Sequence, residues 1–214
     1  MKGAILNVNN IIVDVDQLQF AAWRDLAMYE YGMGLPGKMA ARLKGQSRDQ
    51  VLDAVLAHFK QTATAAERQE ILAEQDKFYE KTLATVDESK LLPNAQQLVI
   101  SLYDHYVKVG IHDLDGHAAD LIKQVKLDGY VDLVGPKDDA DDNPYTALVD
   151  QLDVSAAGSI AVVTKPTDLG QATAAGLTTI GVGDATELKG ADYQVSLVGD
   201  LRYQMLEKVW EDKQ

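Results

Sequence analysis

Short apolar runs recur through the second half of the chain, at residues 107–112, 131–134, 159–163 and 178–182, and stretches with helical spacing of their apolar residues separate them. Runs this short and this apolar read as strands buried on both faces. Strands that alternate with helices are joined by right-handed parallel crossovers, which restricts the chain to a doubly wound, mostly parallel α/β sheet with helices on its faces. The spacing predicts helices over 94–106, 116–126, 144–152, 168–175 and 201–213, and a last short strand over 191–195. In open sheets of this kind ligands bind just past the carboxyl ends of the strands, so the loops that follow the strands are where chemistry is sought.

One more strand opens the chain, where Ala4-Ile5-Leu6 runs into the polar cluster Asn7, Asn9 and Asn10. Beyond it the period changes. Leu18, Ala22, Leu26 and Tyr29 recur at helical spacing within 14–32, and a second helix is expected over 49–59 with Ser47 as its N-cap. A third runs over 64–85, begun by Thr64 and Glu67 at capping-box spacing. No strand signal interrupts these helices. Residues 15–85 are therefore expected to form a helical cap inserted into an α/β core built from 1–14 and 86–214.

Composition narrows the function classes. A chain of 214 residues has room for one sizeable core carrying a smaller insertion. No apolar run approaches the length that crosses a bilayer and no signal-peptide pattern opens the chain, so a cytoplasmic protein is expected. The absence of cysteine excludes disulfides, a thiolate nucleophile and thiolate metal ligands. A net charge of −13 argues against nucleic acid or an anionic membrane as partner.

Several stretches carry a resemblance: residues 3–14, Trp23, the run Leu43-Lys44-Gly45-Gln46-Ser47-Arg48, Gly181-Val182-Gly183, and Leu206-Glu207-Lys208-Val209-Trp210. Together they resemble the haloacid dehalogenase superfamily, specifically its β-phosphoglucomutase-like branch. That resemblance implies a Rossmannoid core with an inserted helical cap and Mg²⁺-dependent phosphoryl chemistry. The family's first strand ends Asp-x-Asp-Gly-Val, the first aspartate being the nucleophile and the second the general acid/base. This chain has Asn7, Asn9 and Asn10 there. A neutral amide has no anionic oxygen to attack with and carries no exchangeable catalytic proton, and loss of a general acid/base alone costs on the order of 10²–10⁴ in rate. Ending a strand and capping a turn is the other use of these asparagines.

The remaining loops depart from the family as well. Where it holds the transferring phosphate on a small hydroxyl residue, this chain has Asp113, whose carboxylate repels a phosphate dianion. His112, Asp113 and Asp115 form a candidate metal or acid/base cluster, with Asp115 as N-cap of the next helix the alternative. Asn143 stands before Pro144 where the family has lysine, the nearest cation is Lys137, and the acidic run 138–142 reads as a solvated loop. Val163 and Thr164 stand where the family's acidic pair completes the Mg²⁺ site, with Lys165 beside them positioned to pair with Asp113. In the cap, the resemblance assigns substrate contact to Trp23, Lys44, Ser47 and Arg48, the last as a bidentate phosphate holder.

The expectation is a degenerate β-phosphoglucomutase-like protein: a pseudoenzyme with no cofactor, its Mg²⁺ ligands lost, retaining a small phosphorylated sugar or other metabolite between cap and core. Two competing readings stand beside it. One is an active mutase or phosphatase whose nucleophile has moved to Asp113, Asp115 or Asp14; the other is a protein-interaction module that binds a partner through its acidic surface.

Overall fold

The central strand, Gly3–Asn7 (β1), is buried at every residue, because it lies between two other strands and beneath helices. In a computed structural model of the chain, residues 1–113, 116–135 and 143–214 are described. The elements after β1 are α1 (Val15–Tyr31), α2 (Met39–Leu43), α3 (Arg48–Phe59), α4 (Ala65–Leu83), α5 (Ala95–Asp104), β2 (Lys108–His112), α6 (Ala118–Gln124) and β3 (Leu133–Val134). They are followed by α7 (Pro144–Gln151), β4 (Ser159–Val163), α8 (Pro166–Ala174), β5 (Thr178–Val182), β6 (Tyr193–Val195) and α9 (Tyr203–Asp212). The six described strands form one parallel sheet in the order β3-β2-β1-β4-β5-β6. The chain reverses direction across the sheet between β1's two neighbours, so this is the doubly wound α/β sheet that the strand–helix alternation predicts. Among the described residues no helix is long and apolar enough to cross a membrane.

Two compact units result, Met1–Asp14 with Asp87–Gln214, and Val15–Val86. In the first, Ile5, Ala161 and Val163 of the sheet pack against Tyr145, Leu148 and Leu152 of α7 and its end, and against Leu169 and Ala172 of α8. Gly110 permits the close approach. A Cβ there would meet Ile5 Cδ1 and Leu152 Cδ1 at 2.9 Å each, too near for carbon.

The edge strands are shorter than their apolar runs, because aspartates take over part of the ladder. The Asp132 carboxylate accepts the backbone N–H of Val109 at 2.9 Å, and the Asp192 carboxylate accepts that of Thr179 at 2.8 Å. Each thereby satisfies an inner-strand donor just before its own strand begins.

The second unit is helical. Trp23, Leu26 and Ala27 of α1 pack on Leu52, Val55 and Leu56 of α3, with Met39 and Leu43 of α2 closing the cluster. α2 is a helix that the sequence pattern misses, being too short to show a period. Both predicted caps form: Ser47 with Gln50 at α3 and Thr64 with Glu67 at α4, each a reciprocal capping box.

Candidate functional site

β1 delivers Asn7 to the carboxyl end of the sheet, directly opposite His112 at the end of β2. Asn7 is wholly buried, and its two amide atoms meet opposite partners. Nδ2 donates to Asp168 Oδ2 at 2.5 Å, while Oδ1 accepts from the Tyr145 hydroxyl at 2.9 Å. Asp168 reaches this point from the first turn of α8, where Pro166 begins the helix after the extended Lys165. Tyr145 comes from the first turn of α7. Asn143 caps the start of α7 and ties it to α8: its Oδ1 accepts the Tyr145 N–H at 3.0 Å and its Nδ2 donates to the Gln171 carbonyl at 2.7 Å. The buried His112 ring lies 4.9 Å from the Tyr145 ring, tilted against it.

Asp168 and Tyr145 are the residues that sequence reasoning missed. The faint signal for Asp168 is a carboxylate three positions after Lys165, in a helix's first turn; for Tyr145 it is an aromatic with a polar tip beside Pro144.

After Asn7 the chain turns back on itself. Val8 O accepts the Ile12 N–H at 2.9 Å, Asn10 N–H donates to Val13 O at 2.8 Å, and Asn10 adopts a left-handed φ of 61°. Asparagine is among the few non-glycine side chains that tolerate this region, so Asn10 can hold the turn. The Thr164 hydroxyl faces the Asn9 carbonyl at 3.4 Å, and Asn9 is itself buried.

The second loop differs from expectation. Asp113 does not pair with Lys165: its Oδ1 accepts the N–H groups of Gly116 at 2.8 Å and Ala118 at 3.3 Å, binding the amides at the start of α6. Free helix-start amides attract an anion, and here the chain supplies its own. The N-cap position of α6 is His117, which makes no side-chain cap bond, and Asp113 binds the amides leading into the helix from outside it. Asp115, Lys137 and the acidic run 138–142 lie outside them. His112 points into the core beside Tyr145, so it does not join Asp113 in a cluster. Among the described residues no three His, Asp or Glu side chains are placed to hold a metal ion.

In the helical unit, Trp23 is 2% exposed and belongs to the apolar core, so its ring is not a surface for a ligand. Ser47 uses its hydroxyl on the Gln50 N–H. Arg48 Nη2 pairs with Asp76 at 2.6 Å and donates to the Leu72 carbonyl at 2.9 Å, with half of the side chain exposed. Lys44 lies 3.8 Å from Asp16 and is mostly exposed.

No family model matches the chain. It is 26% identical over 218 residues to the β-phosphoglucomutase of Bacillus subtilis (strain 168), covering 99% of this chain and 96% of that protein. The chain resembles the β-phosphoglucomutase-like branch of the haloacid dehalogenase superfamily and shares its α/β fold. Its fold matches the crystal structure of β-phosphoglucomutase from Clostridium difficile with a TM-score of 0.78 at 19% identity, over 100% of this chain and 98% of that one. It also matches a HAD hydrolase of family IA, variant 3, from Entamoeba histolytica HM-1:IMSS with a TM-score of 0.74 at 17% identity, over 99% and 100% of the two chains.

A β-phosphoglucomutase-like core implies Mg²⁺, a hard cation that takes an octahedron of oxygens, several of them anionic. The residues present do not fit it. Asn7 Oδ1 already accepts from Tyr145, Val163 is a buried hydrocarbon, the Thr164 hydroxyl is neutral, and the buried Asp168 carboxylate already accepts from Asn7 Nδ2.

Proposed function

We propose that this chain is a degenerate β-phosphoglucomutase relative that has lost Mg²⁺-dependent phosphoryl transfer and retains binding of a small metabolite, a phosphorylated sugar being the class its ancestry favours. The observation that carries the reading is the state of Asn7. It stands where the family's nucleophile would stand, it bears no charge, and both of its amide ends are bonded inside the core. Asp113 adds to this, since its carboxylate occupies the amides at the start of α6, the natural seat for a phosphate.

Retained binding rests on the Lys44–Arg48 loop of the helical unit. Lys44 and Arg48 keep 58% and 49% of their side chains exposed, so both cations are available to an anionic ligand once their acidic neighbours yield. Relocation of the nucleophile to Asp113 is disfavoured by the same bonds that cap α6, because a carboxylate accepting two amides is a poorer nucleophile.

Turnover of β-glucose 1-phosphate and of an aryl phosphate by purified protein with Mg²⁺ tests the reading, run beside Asp113→Asn and the double variant Asn7→Asp/Asn9→Asp. Silence from the parent is expected. Turnover by the parent that Asp113→Asn abolishes would instead establish an active enzyme with a relocated carboxylate. Calorimetric titration with β-glucose 1-phosphate reports binding, and Arg48→Ala is expected to weaken it.

A further inference from the structure

The misfit between these residues and a metal ion has a structural counterpart. Asn7, Tyr145 and Asp168 are 0%, 0% and 2% exposed and come from β1, α7 and α8, three separate elements of the core. Their polarities alternate: hydroxyl donor to amide oxygen, amide N–H to carboxylate oxygen. An amide is the side chain that can face a donor on one side and a carboxylate on the other at this length. Buried polar groups without partners cost free energy, so each of the three depends on the identity of the others.

We infer that this end of the core has become a structural lock, in which Asn7 ties α7 and α8 to the central strand through Tyr145 and Asp168. The lock deepens the reading of the chain as catalytically degenerate. Asparagine at position 7 is then required by the fold rather than merely left over from a lost nucleophile. Aspartate at position 7 has the right shape and the wrong polarity. It places an oxygen where Nδ2 stands, against Asp168 Oδ2, so the two carboxylates repel unless one takes up a proton. The exchange Asn7→Asp/Asp168→Asn restores complementarity with the roles reversed, since the new amide at 168 donates to the new carboxylate at 7. That carboxylate still accepts from Tyr145.

Thermal unfolding of four proteins decides the matter: the parent, Asn7→Asp, Asp168→Asn and the exchange. For a chain of this size, loss of one buried, charge-assisted pair lowers Tm by about 5–10 °C. Asn7→Asp is expected to fall by that amount or to fail to fold. Asp168→Asn falls less, because its remaining carbonyl oxygen still accepts from Asn7. The exchange is expected to recover at least half of the loss seen in Asn7→Asp. An Asn7→Asp variant as stable as the parent, or an exchange no more stable than Asn7→Asp, overturns the lock. These outcomes do not depend on turnover: an active parent would overthrow the proposed function and leave the stability pattern intact, while a missing recovery would overthrow the lock alone.

Discussion

The Tyr145 hydroxyl and the Asp113 carboxylate make two residue-scale cases of one physical rule, that a polar group taken out of water must find a partner inside. Tyr145 is fully buried, and its hydroxyl donates to Asn7 Oδ1. Tyr145→Phe removes the donor and leaves that amide oxygen buried in the core. A loss of about 1–3 kcal/mol is expected in urea denaturation, with little change in the slope of the transition. Asp113→Ala strips two amides at the start of α6 of their acceptor, with an expected loss of about 1 kcal/mol by the same measurement. If Asp113 were instead an uncommitted carboxylate, its removal would relieve repulsion in an acidic chain and leave stability unchanged or higher.

At the scale of elements, the two edges of the sheet are built alike. Asp132 precedes β3, accepts from Val109 N–H and pairs with Lys108 at 2.8 Å; Asp192 precedes β6 and accepts from the Thr179 N–H and hydroxyl while pairing with Lys213. A carboxylate in the ladder lets a strand of two or three residues hold its place, and it puts charge on an edge that would otherwise invite another strand. Burial pushes the Asp192 carboxyl upward, but the Lys213 ammonium and the Thr179 N–H and hydroxyl together outweigh it and hold it below the ordinary aspartate value. A folded value below the unfolded one means stability that is present above the unfolded value and lost as pH falls through the folded one. Asp192→Asn should therefore cost about 1 kcal/mol near neutrality, with the gap from the parent closing as pH falls below about 4 in denaturation curves. A gap constant across that range would show that the charge of Asp192 contributes nothing to the edge.

For the whole molecule, the net charge of −13 is the dominant electrostatic fact. Like charges repel more in the compact state than in the extended one, and added salt screens them. Raising NaCl from about 0.02 M to about 0.2 M shortens the screening length severalfold and should raise Tm by a few degrees. MgCl₂ at matched ionic strength should give the same rise and no more, because the described residues at the end of the core sheet bring no three carboxylate or imidazole side chains together for the ion. A Mg²⁺-specific increment at millimolar concentration would indicate a divalent site and count against the proposed loss of metal-dependent chemistry.

Local regularities in the chain determined much of this protein by themselves. Alternation of buried runs with helical periods was enough for the parallel sheet, and Ser47 and Thr64 announced their helices because a capping box lies within four consecutive residues. The tripled asparagine marked the end of β1, and Asn10 fits its left-handed turn for reasons internal to the residue. The family likeness was legible for the same cause, since its motifs are short and contiguous. Tertiary structure alone decided what the site became. Asn7 bonds a carboxylate 161 positions away and a hydroxyl 138 positions away, and the faint local signals of Asp168 and Tyr145 say nothing of their being partners of Asn7. Only the register of β1 between β2 and β4, with α7 and α8 packed on it, brings the three together. Which of many polar groups is buried, and against what, is fixed when the layers close and water leaves.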